Sequence, residues 1–334
     1  MKRIPMRHNH ENTRDVDQFH NDGYVHKSIL WREIVDIIGC SRKKGEGLLV
    51  DCTIGEGGHS EILLNVFGSL KIRGFERDSS ILERAQSRLS SYGDRIELIN
   101  DNFSQIAEYF QDGEKPDYIL YDFGISSYHF EVSKKGFSFA GDEPLDMRLD
   151  SDGVTAAYVV NNYPERELER IIMEYGEENW ARRIAKVIGD RRKSEPVETT
   201  GQLASIVLAA IPKKFHVKNI HPATRVFQAL RIEVNRELAA IEEGLEGGFS
   251  VLNEDGVIMA ISFHSLEDRI VKNYFRRLKK GCSCKKDPRE CQCRHSSYVE
   301  LLTKKPLSPD DDEISWNNRS RSAKLRAAVK TGRS

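Results

Sequence analysis

Up to about Gly141, apolar and polar positions fall into alternating strand-like and helix-like blocks. Leu48, Leu49 and Val50 make a short apolar run suited to a buried strand, and Ile62, Leu63, Val66 and Phe67 follow at helical spacing. Lys71 to Phe75 reads as a second strand, after which Asp78 is placed to cap a helix whose Ile81, Leu82, Ala85 and Leu89 share one face. Arg95 to Ile99 reads as a third strand, and a helix starting near Ser104 carries Ile106, Tyr109 and Phe110. Tyr118 to Tyr121 is a fourth strand, opened by Pro116 and ended by Asp122-Phe123-Gly124. Strands and helices in alternation predict an α/β architecture with a parallel sheet.

The pattern changes at about Gly141. From Val154 to about Gly247 it is almost wholly helical, with Leu203, Ile206, Val207 and Ala210 on one stripe, and Phe227, Leu230, Val234, Leu238, Ile241 and Leu245 on another. A strand returns at Val257 to Phe263, followed by an amphipathic helix bearing Leu266, Ile270, Val271, Tyr274, Phe275 and Leu278. The expected organisation is a polar N-terminal arm over 1–23, a discontinuous α/β domain over 24–140 and 248–334, and an inserted helical substrate-recognition domain over 141–247. Leu301 to Lys304 reads as an edge strand in a tail that is otherwise polar and basic.

The 334 residues, 39% hydrophobic and 31% charged, describe a globular chain able to bury a core. No apolar run approaches a membrane span, and the N-terminal stretch lacks the apolar segment of a signal peptide, so the cytoplasm is the expected location. Net charge is only −1, yet basic residues bunch at Arg182 to Lys193, Lys213 to Lys218, Arg276 to Lys286 and Arg319 to Arg333. Local clusters of this kind serve phosphate contacts, although any one of them taken singly reads first as an ordinary solvated face. Cys40 and Cys52 read as small packing residues. Cys282, Cys284, Cys291 and Cys293 form C-x-C-x6-C-x-C, which either holds a structural zinc or remains a reduced, redox-sensitive loop.

The segment after the first strand carries the chemistry. Gly55, Gly57 and Gly58 permit a tight turn before a helix N-terminus, and Glu76 ends the second strand where a carboxylate grips ribose hydroxyls. The spacing lacks the third glycine of a dinucleotide fingerprint, because Ser60 stands there, so an S-adenosylmethionine loop fits better than a nicotinamide one. Asp122 leads into Phe123-Gly124-Ile125-Ser126-Ser127, from which an acceptor would face a substrate amine; its alternative role is a helix cap. Phe137 and Phe139 are the aromatic candidates for holding an unstacked base. Ser265 and Asp268 read as a helix-capping pair, His264 as either structural or catalytic, and Arg225 and Arg231 as RNA or interdomain contacts or else as buried salt-bridge formers.

Several long motifs in order carry a resemblance: VDCTIGEGGHS from Val50, FGISS from Phe123, GFSF with PLDMRLD through Asp150, HPATRVFQALRIEVN from His221, SFHSLEDRIVK from Ser262 and NNRSRSAKLR from Asn317. From about Tyr24 to Arg326 the chain resembles the RsmH (MraW) family, bacterial methyltransferases that act on the exocyclic N4 amine of a cytidine in small-subunit ribosomal RNA. The resemblance implies a class I, Rossmann-like fold with a helical insertion, S-adenosylmethionine as cofactor, and 16S ribosomal RNA in the small subunit as partner. It places cofactor contacts at Gly57, Gly58, His59, Glu76, Phe103, Asp122 and His129, with Asp122 also the catalytic candidate. Glu76 stands where aspartate is common in the family, Tyr128-His129 where proline and glutamine are usual, and Asn318 where proline is expected. The four-cysteine loop is variable in the family, and the oligomeric state, a homodimer included, is left open. Two other readings remain: a ribosome assembly factor that has lost transfer, and a DNA amino-methyltransferase, against which Asp122-Phe123-Gly124-Ile125 stands in place of a D-P-P-Y-like tetrapeptide.

Overall fold

The computed structural model describes residues 28–110, 113–150, 152–217, 221–281 and 297–332. The N-terminal arm and all four cysteines of the C-x-C-x6-C-x-C loop lie outside the described residues. The chain runs α1 (Trp31–Gly39), β1 (Gly47–Asp51), α2 (Gly58–Val66), β2 (Leu70–Phe75), α3 (Ser79–Leu89), β3 (Ile96–Ile99) and β4 (Tyr118–Asp122). Six helices follow: α4 (Ser127–Glu131), α5 (Ala156–Asn162), α6 (Glu165–Glu174), α7 (Ala181–Arg191), α8 (Thr200–Ala210) and α9 (Thr224–Asn235). The chain then continues through α10 (Glu237–Val251), β5 (Val257–Ser262), α11 (Ser265–Lys280), β6 (Val299–Leu301), α12 (Asp311–Trp316) and β7 (Lys324–Lys330).

The seven strands form one sheet in the order β3-β2-β1-β4-β5-β7-β6. β1 to β5 are mutually parallel, and β7 runs antiparallel to both β5 and β6. β5 is buried along its whole length and β4 nearly so, which is why both read as unbroken apolar runs rather than as alternating ones. This is the class I arrangement that the resemblance implies. Because β1 lies between β2 and β4, successive crossovers leave the β1–β4 boundary in opposite directions, and a crevice opens at the carboxyl ends of those two strands.

Local readings hold where local chemistry decides. Asp78 caps α3 by accepting from the Ser80 amide at 2.9 Å. The segment from Phe103 to Phe110 is a 3-10 helix rather than an α-helix. β6 lies at the sheet edge but spans Val299–Leu301, upstream of the expected Leu301 to Lys304. α11 is capped by His264, whose ring accepts from the Glu267 amide, and not by Ser265; Asp268 instead turns to β7 and receives Arg326 at 2.7 and 3.2 Å. Cys52 is buried as expected, whereas Cys40 is exposed. Among the described residues no helix is long and apolar enough to cross a membrane.

The chain divides into two compact units, one of residues 125–239 and one formed by the chain up to Gly124 and from Ala240 onward. These bounds differ from the 141–247 read off the pattern, for a physical reason at each end. Ile125, Phe130, Phe137 and Phe139 already pack on the helical core, so the unit starts before the helical periodicity does. Most of α10 belongs with the sheet: Tyr121 donates from Oη to the Gly244 carbonyl at 2.6 Å, and a Cβ on Gly248 would lie 2.3 Å from that hydroxyl.

Within the helical unit, α5 to α9 bury Val159, Ile171, Ile184, Val207 and Leu230 in one cluster. Asn235 ties the end of α9 to the PLDMRLD segment, donating to the carbonyls of Met147 and Arg231 and accepting from the Leu149 amide at 3.0 Å. Met147 has a left-handed φ of 61°, so this segment depends on such bonds to keep its path. Asn235→Ala is expected to cost about 2 kcal/mol, since it strands buried backbone groups. Chemical denaturation followed by circular dichroism reads this as a lower midpoint; an unchanged midpoint would mean that water replaces all three bonds.

Candidate active site

The site begins where β1 ends. Asp51 is buried at its last position, with Oδ2 accepting from Ser60 Oγ at 2.8 Å and Oδ1 from the Thr53 amide at 3.3 Å. Gly57 then takes a φ of 84° and serves as N-cap of α2 with no side-chain cap bond, so the helix starts with backbone amides facing the loop. His59 and Ser60, in the first turn of α2, are both buried.

Asp122 closes β4 beside this loop. Its amide donates to Thr53 Oγ1 at 2.7 Å, which ties the two strand ends together across the crevice. Its Oδ2 lies 3.5 Å from His59 Nδ1, while His59 Nε2–H donates to the Ile29 carbonyl at 2.9 Å. The Ile29 carbonyl needs the proton on Nε2, so Nδ1 is the ring nitrogen that faces the carboxyl, and a proton held between the two completes that contact. Asp122 Oδ1 is buried and accepts no hydrogen bond among the described residues. Burial, followed by the charges of Asp51 and Glu267, holds the Asp122 carboxyl well above the usual carboxylate range. Burial likewise lifts Asp51 to about 6, against the opposing bonds from Ser60 and Thr53. Three carboxyls within electrostatic reach, one with an unbonded oxygen, make a dry and acceptor-rich pocket suited to a cationic ligand or an N–H donor. A cofactor with an ammonium and a sulfonium fits that donor set.

Glu76 follows β2 and accepts from the Asp78 amide at 2.9 Å, while Asn100 donates to its backbone carbonyl. Burial raises its carboxyl from 4.5 to about 7. The ionised form is the one the fold disfavours. Its contribution to stability is therefore complete below the ordinary value of 4.5 and is lost as pH rises through about 7. Against a Glu76→Gln variant, neutral throughout, the ligand-free wild type is expected to lose roughly 2–3 kcal/mol between pH 4.5 and pH 8. Thermal midpoints across that range check this; parallel curves for the two proteins would remove Glu76 as the cause.

Phe103 stands against Tyr121 at 5.7 Å and Phe123 at 5.9 Å, over Gly244, where a Cβ would come within 2.5 Å of its ring. The structure therefore brings Gly57, Gly58, His59, Glu76, Phe103 and Asp122 to the carboxyl end of one sheet. His129 belongs to the other unit, buried with its ring 5.2 Å from Phe137, and both rings are in or against the helical core. Phe137 is thus a core residue, whereas Phe139 stacks on His221 at 4.6 Å. Arg231 is a salt-bridge former, bidentate to Glu237 at 2.9 Å; Arg225 is exposed, 3.6 Å from Glu178. His264 caps α11 beside Glu267, whose Oε2 accepts from the amides of Phe263 and His264 at 2.7 and 3.2 Å.

Sequence reading passed over Asp51, Thr53, Ser60 and Glu267. Asp51 was legible in principle, since a carboxylate ending the apolar run Leu48 to Val50 occupies the same strand-end position that singled out Asp122. Glu267 was hidden, because only the sheet order brings the start of α11 near the end of β4.

A family model described as the MraW methylase family matches residues 23–331, nearly the whole chain. The chain belongs to the MraW methylase family. Proteins named ribosomal RNA small subunit methyltransferase H are similar along most of their length. That of Clostridioides difficile (strain 630) is 45% identical over 92% of this chain and 99% of its own. That of Carboxydothermus hydrogenoformans is 45% identical over 92% and 98%, and that of Geobacter sp. (strain M21) 44% over 92% and 99%. For this MraW methylase, the VDCTIGEGGHS segment is the turn and helix start that carry His59 and Ser60, and the FGISS segment is the exit from β4.

Proposed function

We propose that this MraW-family chain is an S-adenosylmethionine-dependent methyltransferase acting on the exocyclic N4 amine of a cytidine in small-subunit ribosomal RNA. The observation that carries the reading is the desolvated Asp122 carboxyl, with Oδ1 unbonded, at the β1–β4 crevice of a sheet whose family is that of the methylases. The names of relatives 44–45% identical over nearly the full length support the substrate class.

When bound, the cofactor supplies an electrophilic methyl group on a sulfonium. The protein's part is to aim a nucleophile in line with it and to exclude water. A cytosine N4 amine is a poor nucleophile because its lone pair is delocalised into the ring. Asp122 Oδ1, accepting one N–H of that amine, would return the lone pair to nitrogen. On transfer the amine nitrogen would shed a proton, and the Asp122–His59 pair would accept it. In this proposal Gly57, Gly58 and His59 shape the methionine end, Glu76 takes the ribose hydroxyls, Phe103 walls the adenine side, and the helical unit recognises substrate.

The test is tritium transfer from labelled S-adenosylmethionine to small subunits purified from a strain lacking the gene, with the modified nucleoside identified. Label on a cytidine N4 is expected. Cofactor binding without label on subunits or free ribosomal RNA would refute the substrate and favour a DNA or protein acceptor. For Cys282, Cys284, Cys291 and Cys293, metal analysis separates the two readings: one zinc per chain, lost in Cys282→Ser, marks a metal site, and four titratable thiols without metal mark a reduced loop.

A further inference from the structure

The helical unit holds a cavity of about 280 Å³ that the transfer site does not use. It is smaller than pockets for drug-sized ligands, which run about 300–1,000 Å³. Its walls are aromatic and aliphatic: Trp180 at the start of α7, Phe215, Val217 and His221. Trp180 and Phe215 lie 5.0 Å apart at 51°, yet Phe215 is 50% exposed and Val217 59% exposed. Large apolar side chains left this exposed next to one another mark a surface that something covers.

Cations surround the rings. Lys214 Nζ lies 5.0 Å from the Phe215 ring and Arg183 5.9 Å from that of Trp180, while Arg225 lines the cavity itself. The one acid in the lining, Glu178, is buried and already engaged, accepting from the Trp180 amide at 2.9 Å with Arg225 3.6 Å away. The basic runs noted in the sequence divide here. Lys186 and Lys193 further along share Asp190, whereas among the described residues no carboxylate pairs with Lys213 or Lys214. Apolar rings beside lysines that no described carboxylate pairs match one kind of ligand, a single strand whose bases stack while its phosphates meet the lysines and arginines.

From this geometry we infer that the Trp180–Phe215 cavity is a nucleotide subsite, which takes an unpaired base of the ribosomal RNA strand other than the reacting cytidine. This rests on the substrate reading above, and it assigns the first and second basic clusters a shared role through Arg183 and Lys214.

The probe is fluorescein-labelled single-stranded decauridine, titrated with the full chain at several salt concentrations. Phe215→Ala is expected to weaken binding at least tenfold, Phe215→Trp to retain it, and Lys214→Gln to lower the salt slope by about one. Cofactor affinity and kcat on small subunits should not change with Phe215→Ala, while KM for subunits rises. Equal decauridine affinity of wild type and Phe215→Ala would overturn the inference. So would a Phe215 dependence seen on intact subunits alone, which would mark a protein contact. If subunits accept no methyl group but decauridine binding still depends on Phe215, the substrate reading fails and the subsite stands.

Discussion

Asp122→Asn is expected to lower methyl transfer by at least a hundredfold while raising the thermal midpoint of the ligand-free protein. The two effects share one cause. The carboxyl is buried at the end of β4, crowded by Asp51 and Glu267, and its Oδ1 accepts no hydrogen bond among the described residues, so the fold bears its desolvation without compensation. An amide removes that burden. Its Nδ2–H has a ready acceptor in His59 Nδ1, 3.5 Å from the Oδ2 it replaces. Transfer suffers because the amide neither localises the amine lone pair as strongly nor shares a proton with His59; general-base contributions are typically about 10²–10⁴-fold. Differential scanning fluorimetry and single-turnover transfer measure the two halves. A drop in kcat with cofactor affinity changed less than about tenfold assigns Asp122 to the amine, whereas lost affinity with kcat intact would assign it to the cofactor. A lower midpoint would contradict the account of burial.

Gly57→Val is expected to lower stability by about 2–4 kcal/mol and to abolish measurable cofactor binding. The position demands a φ of 84°, which a β-branched residue adopts only under strain, and a Cβ there would lie 2.9 Å from Leu89 Cδ1 on α3. The chain would have to move exactly where α2 starts and where His59 is set against Asp122. Leu89→Ala separates the causes, because it makes room for a side chain but leaves the backbone angle unrelieved. A Gly57→Ala, Leu89→Ala double variant that still fails to bind, by calorimetry, points to the angle; recovered binding would show that the clash alone mattered.

The short parallel strands, the Asp78 cap and the glycine turn were legible in the sequence because each is decided within a few residues. An apolar run flanked by turn residues, a carboxylate ahead of a helix and a glycine before an amide-rich helix start need no distant partner. Glu76 and Asp122 were legible for the same reason, since strand ends in such a sheet face the crevice. β7 was not. Lys324 to Lys330 is rich in charge and its alternation is weak, and it becomes a strand because β5 and β6 supply a backbone edge on each side and Asp268 receives Arg326.

The start of the helical unit was likewise decided by packing. Ile125 to Phe139 shows no helical period, yet its apolar side chains join a core whose other members are far along the chain. Arg231 had two readings in the sequence, and only the reach to Glu237 chose between them. Sequence by itself determined the family, the layered architecture and the residues at the strand ends, because these follow from local pattern and from motifs read in order. Tertiary structure decided which carboxyls share one desolvated pocket. The charges of Asp51, Asp122 and Glu267 act on one another only because the order β1-β4-β5 brings together segments otherwise far apart, and electrostatic cost depends on distance in space and on exclusion of water.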